Sequence, residues 1–186
     1  MLLEQSKNFI DVGNRQVSES IFFMETKDTI YSLPHYTAIG CRPLALGFIM
    51  NMYFDCPVFR TSVKNYPGFG EYAKELLVNG EELIEEPQIH FNARTMLWEL
   101  KNGKSRKVEL TEECQIRYFD PKTGLPARNG RRVPEEYGLL PPYFKMSPKG
   151  VRTIIRFHGQ YQPLVIDATH ELNESVPHVG MRRIIV

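Results

Sequence analysis

The clearest alternation of hydrophobic and polar positions lies around Trp98, the only tryptophan of the chain. Apolar residues recur there at every second position, which is the period of a half-buried strand. The dipeptide Asn102-Gly103 follows and suits a two-residue type I′ turn, because Asn and Gly tolerate a positive φ. The pattern predicts a β-hairpin over Thr95–Leu110. Met96, Trp98 and Leu100 are predicted to form its apolar face. Glu99 and Arg106 are predicted to form a charge pair across the two strands.

Other short segments have the alternation and the β-branched or aromatic content of strands. Cys114–Phe119 alternates so that Cys114, Ile116 and Tyr118 are predicted to share one face. Asp120–Gly124 predicts a turn, since Pro121 presets φ and Gly124 accepts the left-handed conformation. The remaining predicted strands are Ser20–Met24, Thr29–Leu33, Ile89–Phe91, Val151–Phe157, Pro163–Asp167 and Met181–Val186.

Two segments bear on helix content. Glu71–Val78 (EYAKELLV) has Tyr72 and Leu76 at helical spacing, and Asn79-Gly80 would end such a helix, so the pattern predicts one there. Leu44–Phe54 is an apolar run whose length does not distinguish a helix from a strand, although it is core in either case. It is too short to span a bilayer, which needs roughly 20 apolar residues.

These elements predict one domain over residues 1–186, with an α+β, β-rich fold. Its antiparallel sheet would be built on hairpins, with one or two short helices and a long proline-rich arm. The arm, residues 120–148, is irregular, basic and rich in Pro and Gly. Because long irregular loops are uncommon inside compact domains, we expect this arm to be functional.

Composition excludes several classes of protein. The chain has 186 residues, 42% of them hydrophobic, which is enough for a core without cross-links. Its three cysteines are far apart and include no Cys-x-x-Cys pair, so we expect no disulfide framework, no metal and no cofactor. The first residues lack the pattern of a signal peptide, and we expect a cytoplasmic or virion location without membrane contact.

Charge is distributed unevenly although the net charge is only +1. Residues 1–100 carry 8 Lys and Arg against 13 Asp and Glu, whereas residues 101–186 carry 15 against 9. Such asymmetry indicates contact with a polyanion or between subunits. The arm combines cations with aromatic residues, a composition found both at protein interfaces and on nucleic-acid surfaces. Its expected contact residues are Arg128, Arg131, Arg132, Tyr137, Tyr143, Phe144 and Lys145.

Two weaker patterns could support hydrolytic chemistry. Glu99 and Lys101 form a Glu-x-Lys pair of the kind that metal-dependent nucleases place on a strand. His158, Asp167 and His170 form the densest polar group, and a His–carboxylate pair can serve as a general base. Both patterns are common by chance, and ordinary strand or turn residues are the far more frequent explanation of each.

The leading hypothesis is therefore a non-enzymatic structural or connecting subunit of a larger assembly of viral or phage type. The arm would bind other protein subunits, giving a homo- or hetero-oligomer. The first alternative is a nucleic-acid-binding module that uses the same arm. The second alternative is a metal-dependent hydrolase or nuclease that uses the residues named in the preceding paragraph.

Overall fold

The protein is rich in β-structure, with one helix in the described part of the chain. The computed structural model describes residues 2–4, 9–12, 15–24, 43–57, 70–110, 112–135, 140–158, 162–174, 176, 179–180 and 182–185. The helix α1 is Leu46–Asp55. The strands are β1 Leu2–Glu4, β2 Phe9–Val12, β3 Arg15–Met24, β4 Gly70–Val78, β5 Glu82–Ile84, β6 Gln88–Asn92, β7 Leu97–Asn102, β8 Ser105–Lys107, β9 Cys114–Gln115, β10 Tyr118–Phe119, β11 Arg131–Arg132, β12 Tyr143–Met146, β13 Arg152–His158, β14 Gln162–His170, β15 Val179–Gly180 and β16 Arg182–Ile185.

The largest sheet has eight strands and is mostly antiparallel. Its order is β8-β5-β4-β13-β14-β12-β9, and β15 pairs with β4. Only the β12–β14 and β15–β4 pairs are parallel. A second sheet joins β1, β2 and β16 to β3, and two smaller sheets are β6–β7 and β10–β11. The β-rich, mostly antiparallel part of the predicted fold is therefore confirmed.

Strand β4 was predicted to be a helix, and that prediction was wrong. The strand is buried on both faces, so its apolar residues do not show the simple alternation of a half-exposed strand. Ala73 and Leu77 point into the main hydrophobic cluster, whereas Tyr72 and Leu76 point into a second one. Tyr72 and Leu76 are four residues apart, a spacing that suits a helix as well as one face of a strand. Burial between neighbouring strands outweighs the helix propensity of Glu, Ala, Lys and Leu.

The apolar segment that could not be assigned from its sequence is the helix α1. Leu46, Ile49 and Met50 are fully buried in the main cluster. The helix begins with an N-cap residue, Ala45, that has no side-chain hydrogen bond. A buried carboxylate from β4 takes over that role, because Glu75 Oε2 accepts a hydrogen bond of 2.8 Å from the Leu46 backbone N–H. Burial raises the pKa of Glu75.

The predicted hairpin over Thr95–Leu110 is also wrong. Strand β7 pairs with β6, and β8 pairs with β5, so the two strands flanking Asn102-Gly103 separate. The observed register places Phe91 opposite Trp98 and Ile89 opposite Leu100. Those apolar cross-strand pairs stabilise a sheet more than the predicted pairing of Trp98 with Lys107 would. The expected charge pair of Glu99 with Arg106 is absent, because Arg106 binds Glu85 at 2.8 Å.

The type I′ turn lies instead at Asn79-Gly80, between β4 and β5. Both residues have a positive φ, 54° and 70°, and the Glu81 N–H bonds to the Val78 carbonyl at 3.0 Å. The Asn-Gly chemistry was recognised correctly but assigned to the wrong copy of the dipeptide.

Strands are found at or near several other predicted positions. β13 and β14 contain most of Val151–Phe157 and Pro163–Asp167, while the predicted strand Thr29–Leu33 lies outside the described residues. Cys114–Phe119 is split, because its first part pairs with β12 and its last part with β11. The turn at Asp120–Gly124 is present, with φ of 73° at Gly124. The arm as a unit stays a prediction, since residues 136–139 of it are not described.

In the described part of the chain, no helix has the length and apolar character that a membrane crossing requires.

We expect Glu75→Ala to lower the free energy of unfolding by about 1–3 kcal/mol, since it leaves the Leu46 N–H buried without its acceptor. Glu75→Gln keeps an acceptor and removes a buried charge, so its stability should remain within about 1 kcal/mol of the wild type. Urea unfolding of both variants measures the difference. An equal loss in the two variants would show that the carboxylate acts through something other than this cap.

Candidate functional site

An exposed aromatic residue bordered by arginines marks the most distinctive surface of the described chain. Tyr118 is 42% exposed, and Arg117 beside it is exposed as well. We call Arg117 and Tyr118 the ridge. Its backbone is held on two sides: Ala127 N–H donates to the Tyr118 carbonyl at 3.0 Å, and Val133 N–H donates to the Arg117 carbonyl at 2.8 Å. The ridge is thus a fixed feature of the β10–β11 pair.

A groove lies on either side of the ridge, and the two ridge residues line both grooves. The first groove encloses about 640 Å³ and contains Arg128. The second encloses about 270 Å³ and contains Arg132 and a proline-rich wall, Pro134, Pro141 and Pro142. The surface therefore presents one aromatic ring with arginines on the ridge and in each groove. Carboxylates are also present: Glu109 and Glu112 line the first groove and Glu135 the second.

Arg131 and Phe144 of the expected arm are part of the packed structure. Arg131 forms an ion pair with Asp55 of α1, donates to Asn51 Oδ1 at 2.9 Å, and lies over the Phe119 ring. The hydrogen bond from Arg131 lowers the pKa of Asp55. Phe144 is fully buried in the main cluster. Neither side chain is presented to a partner, because each is used to join secondary-structure elements.

The other expected arm residues are more accessible. Arg128 and Lys145 are exposed, and Arg132 is exposed but forms an ion pair with Glu135. Tyr143 is half-buried and its hydroxyl lies 3.5 Å from Glu113. Tyr137 lies outside the described residues. Of the arm, Arg128 and Arg132 are brought together with the ridge.

The second polar group lies at the end of β14 and contains Asp167 and His170. Asp167 Oδ2 is 3.0 Å from Arg156 Nε and 3.2 Å from His170 Nε2. His170 Nδ1 is 2.8 Å from Glu174 Oε1, so the imidazole lies between two carboxylates. His158 is not part of this group: it ends β13 opposite Gln162, and its side chain is outside the described set.

Electrostatics favour a charged His170. Its hydrogen bond to Asp167 raises the pKa of His170, with Glu174 adding to the effect and burial opposing it. Burial would raise the pKa of Asp167, but hydrogen bonds from His170 and Thr169 hold that pKa well below its usual range. Arg156 Nη2 lies 3.2 Å from His170 Nε2, and both side chains contact Asp167 Oδ2. The group is a compact charge cluster, and its contacts with Glu174 position the turn after β14.

That turn holds the β6–β7 hairpin. Asn173 Oδ1 accepts a hydrogen bond of 2.8 Å from the Trp98 N–H, and Asn173 Nδ2 donates to the Trp98 carbonyl at 2.8 Å. Glu174 fixes the same turn by accepting from the Glu171 N–H at 3.0 Å. The His170 cluster thereby has a direct structural role in orienting the hairpin.

Glu99 and Lys101 lie on β7, and in the described part of the chain no second carboxylate pairs with either of them. The strand next to Glu99 presents His90, whose Nε2 is 3.4 Å from Glu99 Oε2, and Asn92 donates to Glu99 at 2.8 Å. Lys101 is exposed. Among the residues that the structure describes, no group of three or more His, Cys, Asp or Glu side chains is arranged to hold a metal ion.

The ridge was not identified from the sequence. Alternation predicted that Tyr118 shares a face with Ile116, yet Ile116 is buried and Tyr118 is exposed. The chain changes partners between β9 and β10, which breaks the alternation. The sequence pattern that could have identified the ridge is Arg117-Tyr118 followed by a turn with Pro and Gly. An aromatic residue next to arginine and a turn is typical of binding surfaces.

Part of the chain is similar in sequence to proteins whose function is known. The chain is 32% identical over 97 residues to the mRNA-decapping protein g5R of African swine fever virus, isolate Pig/Kenya/KEN-50/1950. It is 30% identical over 97 residues to the same protein of isolate Warthog/Namibia/Wart80/1980. Each match covers 51% of this chain and 35% of the relative, so the chain spans about a third of the curated relatives it matches. No family model and no solved structure matches the chain.

This similarity contradicts the leading hypothesis from the sequence. Relatives named for mRNA decapping carry out a reaction on RNA, so the expected non-enzymatic structural subunit of a virion or other assembly was wrong. Charge asymmetry and a proline-rich arm are compatible with assembly and with RNA contact alike, and the choice between them rested on composition only.

We expect the stability of the protein to fall as pH rises above neutral because of His170. A group whose pKa is raised on folding stabilises the protein fully below its ordinary value, 6.5 here, and loses that contribution as pH rises through the folded pKa. His170→Gln should be less stable by about 1–3 kcal/mol at pH 6 and should lose this slope. Urea unfolding between pH 6 and pH 9 measures it.

His90 supplies the matched control, because it is an exposed histidine bound to one carboxylate. His90→Gln makes the same substitution outside the Asp167–His170–Glu174 cluster, so a loss of slope found equally in both variants would not be due to that cluster. A slope that persists in His170→Gln would show that another group carries it.

Proposed function

We propose that this protein acts on mRNA in a decapping-type reaction and holds the RNA strand on the ridge. The observation that carries the proposal is the 97-residue similarity to mRNA-decapping proteins. The proposal concerns this chain as a whole, whereas the similarity covers about half of it.

The ridge suits an unpaired RNA strand better than a duplex. Proteins hold single strands by stacking bases on aromatic rings and by placing cations along the phosphates. Tyr118 offers a ring, Arg117 lies next to it, and Arg128 and Arg132 lie in the grooves on either side. A strand crossing the ridge would meet arginine before and after the ring. This arrangement supports RNA as the partner of the basic half of the chain.

Several cations of that half are unavailable to RNA. Arg131 binds Asp55, Arg152 is fully buried over the Tyr72 ring, and Arg156 binds Asp167. The binding site is therefore smaller than the charge count of the sequence implies. It is defined by position around Tyr118 rather than by net charge.

The RNA-binding part of the proposal predicts distinct effects for two kinds of substitution. Arg117→Gln and Arg128→Gln should each weaken binding of single-stranded RNA and lower the salt slope by about 0.7, the value for one phosphate contact. Tyr118→Leu should weaken binding by about 1–3 kcal/mol with an unchanged slope, because stacking involves no counterion. Fluorescence anisotropy of labelled RNA at several salt concentrations measures both quantities.

Arg131→Gln is the matched control, since it removes the same charge from a residue that the fold uses. It should lower stability while leaving the salt slope unchanged. If Arg131→Gln and Arg128→Gln reduce the slope equally, binding depends on overall charge and the ridge has no special role.

The enzymatic part predicts release of the cap from mRNA. RNA labelled in its 5′ cap, incubated with the full chain and a divalent cation, should yield a labelled nucleotide. Tyr118→Leu should raise KM more than it lowers kcat, because the ridge contributes binding and not the reacting groups. Tight RNA binding without release of the labelled nucleotide would contradict the enzymatic part of the proposal and would support RNA binding alone.

A further inference from the structure

The β6–β7 hairpin ends in an unusual concentration of exposed apolar side chains. The described residues include five large exposed hydrophobic side chains, and three of them belong to this hairpin: Phe91 at 44%, Met96 at 69% and Leu97 at 42%. Single exposed hydrophobic residues are ordinary, but a group at one end of an element indicates a contact surface.

The hairpin is rigid where it joins the body of the protein. Ile89 and Leu100 pack against the second hydrophobic cluster, and Asn173 binds both backbone groups of Trp98. At the other end, Asn92 Oδ1 accepts from the Arg94 N–H at 2.9 Å and so fixes the turn. A ligand that binds this end has little flexible structure to order.

Local strain is found at the same end. Met96 has φ of 57°, a left-handed conformation that is unfavourable for a residue with a long side chain. Its N–H bonds to the Asn92 carbonyl at 2.8 Å, which maintains the conformation. Backbone strain of this kind concentrates at functional sites.

The aromatic pair and the local charge identify the type of ligand. Phe91 and Trp98 have ring centroids 5.3 Å apart with an interplanar angle of 60°. This edge-on arrangement leaves part of the Phe91 ring facing solvent. Arg94 and Lys101 are exposed, while Glu99, the only carboxylate in residues 88–102, is bound by His90 and Asn92. An exposed aromatic ring with an exposed arginine in the adjoining turn is complementary to a nucleobase and its phosphate.

We propose that the Phe91–Trp98 end of the β6–β7 hairpin is a second RNA contact, where an unpaired base stacks on Phe91. The inference rests on the proposed function, because RNA is its ligand, but it concerns a site separate from the ridge. Arg94, in the turn that follows β6, would contact a phosphate that flanks the stacked base.

Trp98 allows a direct test, because it is the only tryptophan of the chain. A short oligoadenylate should quench its fluorescence saturably, with the same midpoint as the anisotropy of the labelled oligonucleotide. Phe91→Leu keeps an apolar side chain and removes the stacking ring, so RNA affinity should fall about fivefold or more. Tyr118→Leu makes the same change at the ridge, and at saturating RNA it should leave the Trp98 quenching intact.

The alternative outcomes are distinguishable. If the oligonucleotide binds but Trp98 is not quenched and Phe91→Leu has wild-type affinity, the hairpin inference is overturned while the proposed function stands. If no RNA binds in the anisotropy assay, both are overturned. If light scattering shows a dimer that Phe91→Leu dissociates without an effect on RNA affinity, the hairpin is a contact between copies instead.

Discussion

The burial of β4 on both faces is the constraint on which the rest of the described structure depends. One face of this strand completes the main hydrophobic cluster under α1, and the other completes the cluster on which the β6–β7 hairpin rests. Three strands pair with β4 by backbone hydrogen bonds. β13 pairs with it along one edge, β5 pairs with its C-terminal end, and β15 pairs with its N-terminal end. A strand so placed has almost no solvent-exposed surface, so its polar residues must have internal roles. Glu75 meets this requirement by binding the first turn of α1.

The sequence predicted those elements whose local pattern has a single interpretation. β13 and β14 were recognised by their β-branched runs, and the Asp120–Gly124 turn by its proline and glycine. Prediction failed for β4 because a doubly buried strand and an amphipathic helix can share the same apolar spacing. It failed at Asn102-Gly103 because turn propensity is local, whereas the choice of strand partner depends on residues such as Phe91 and Ile89.

At the candidate site, too, the local sequence predicted some features, whereas others depend on contacts between residues that are distant in the sequence. Composition drew attention to a region rich in arginine and aromatic residues, but it could not distinguish the side chains that pack into the fold from those that stay exposed. Arg131 and Phe144 join elements of the core, while Tyr118 reaches solvent because the chain changes sheets just before it. Asp167 and His170, which the sequence grouped with His158, lie in contact without it, and their partners Arg156 and Glu174 assign them to the support of a turn. Residue type left both protein and nucleic acid open as partners of this region, and the proposal of RNA rests on the similarity to mRNA-decapping proteins.

The contact between Asn173 and Trp98 has a consequence for the behaviour of the protein at high concentration. A side-chain amide carries one donor and one acceptor, and here it occupies the two hydrogen-bonding groups that another molecule's strand would use to extend β7. An exposed, partly apolar hairpin edge is otherwise a template for intermolecular sheet growth. The Asn173 side chain thus blocks the edge of β7 at Trp98, a role that would otherwise need an additional strand. Aspartate could not do the same, because an ionised carboxylate has no proton to donate to the Trp98 carbonyl.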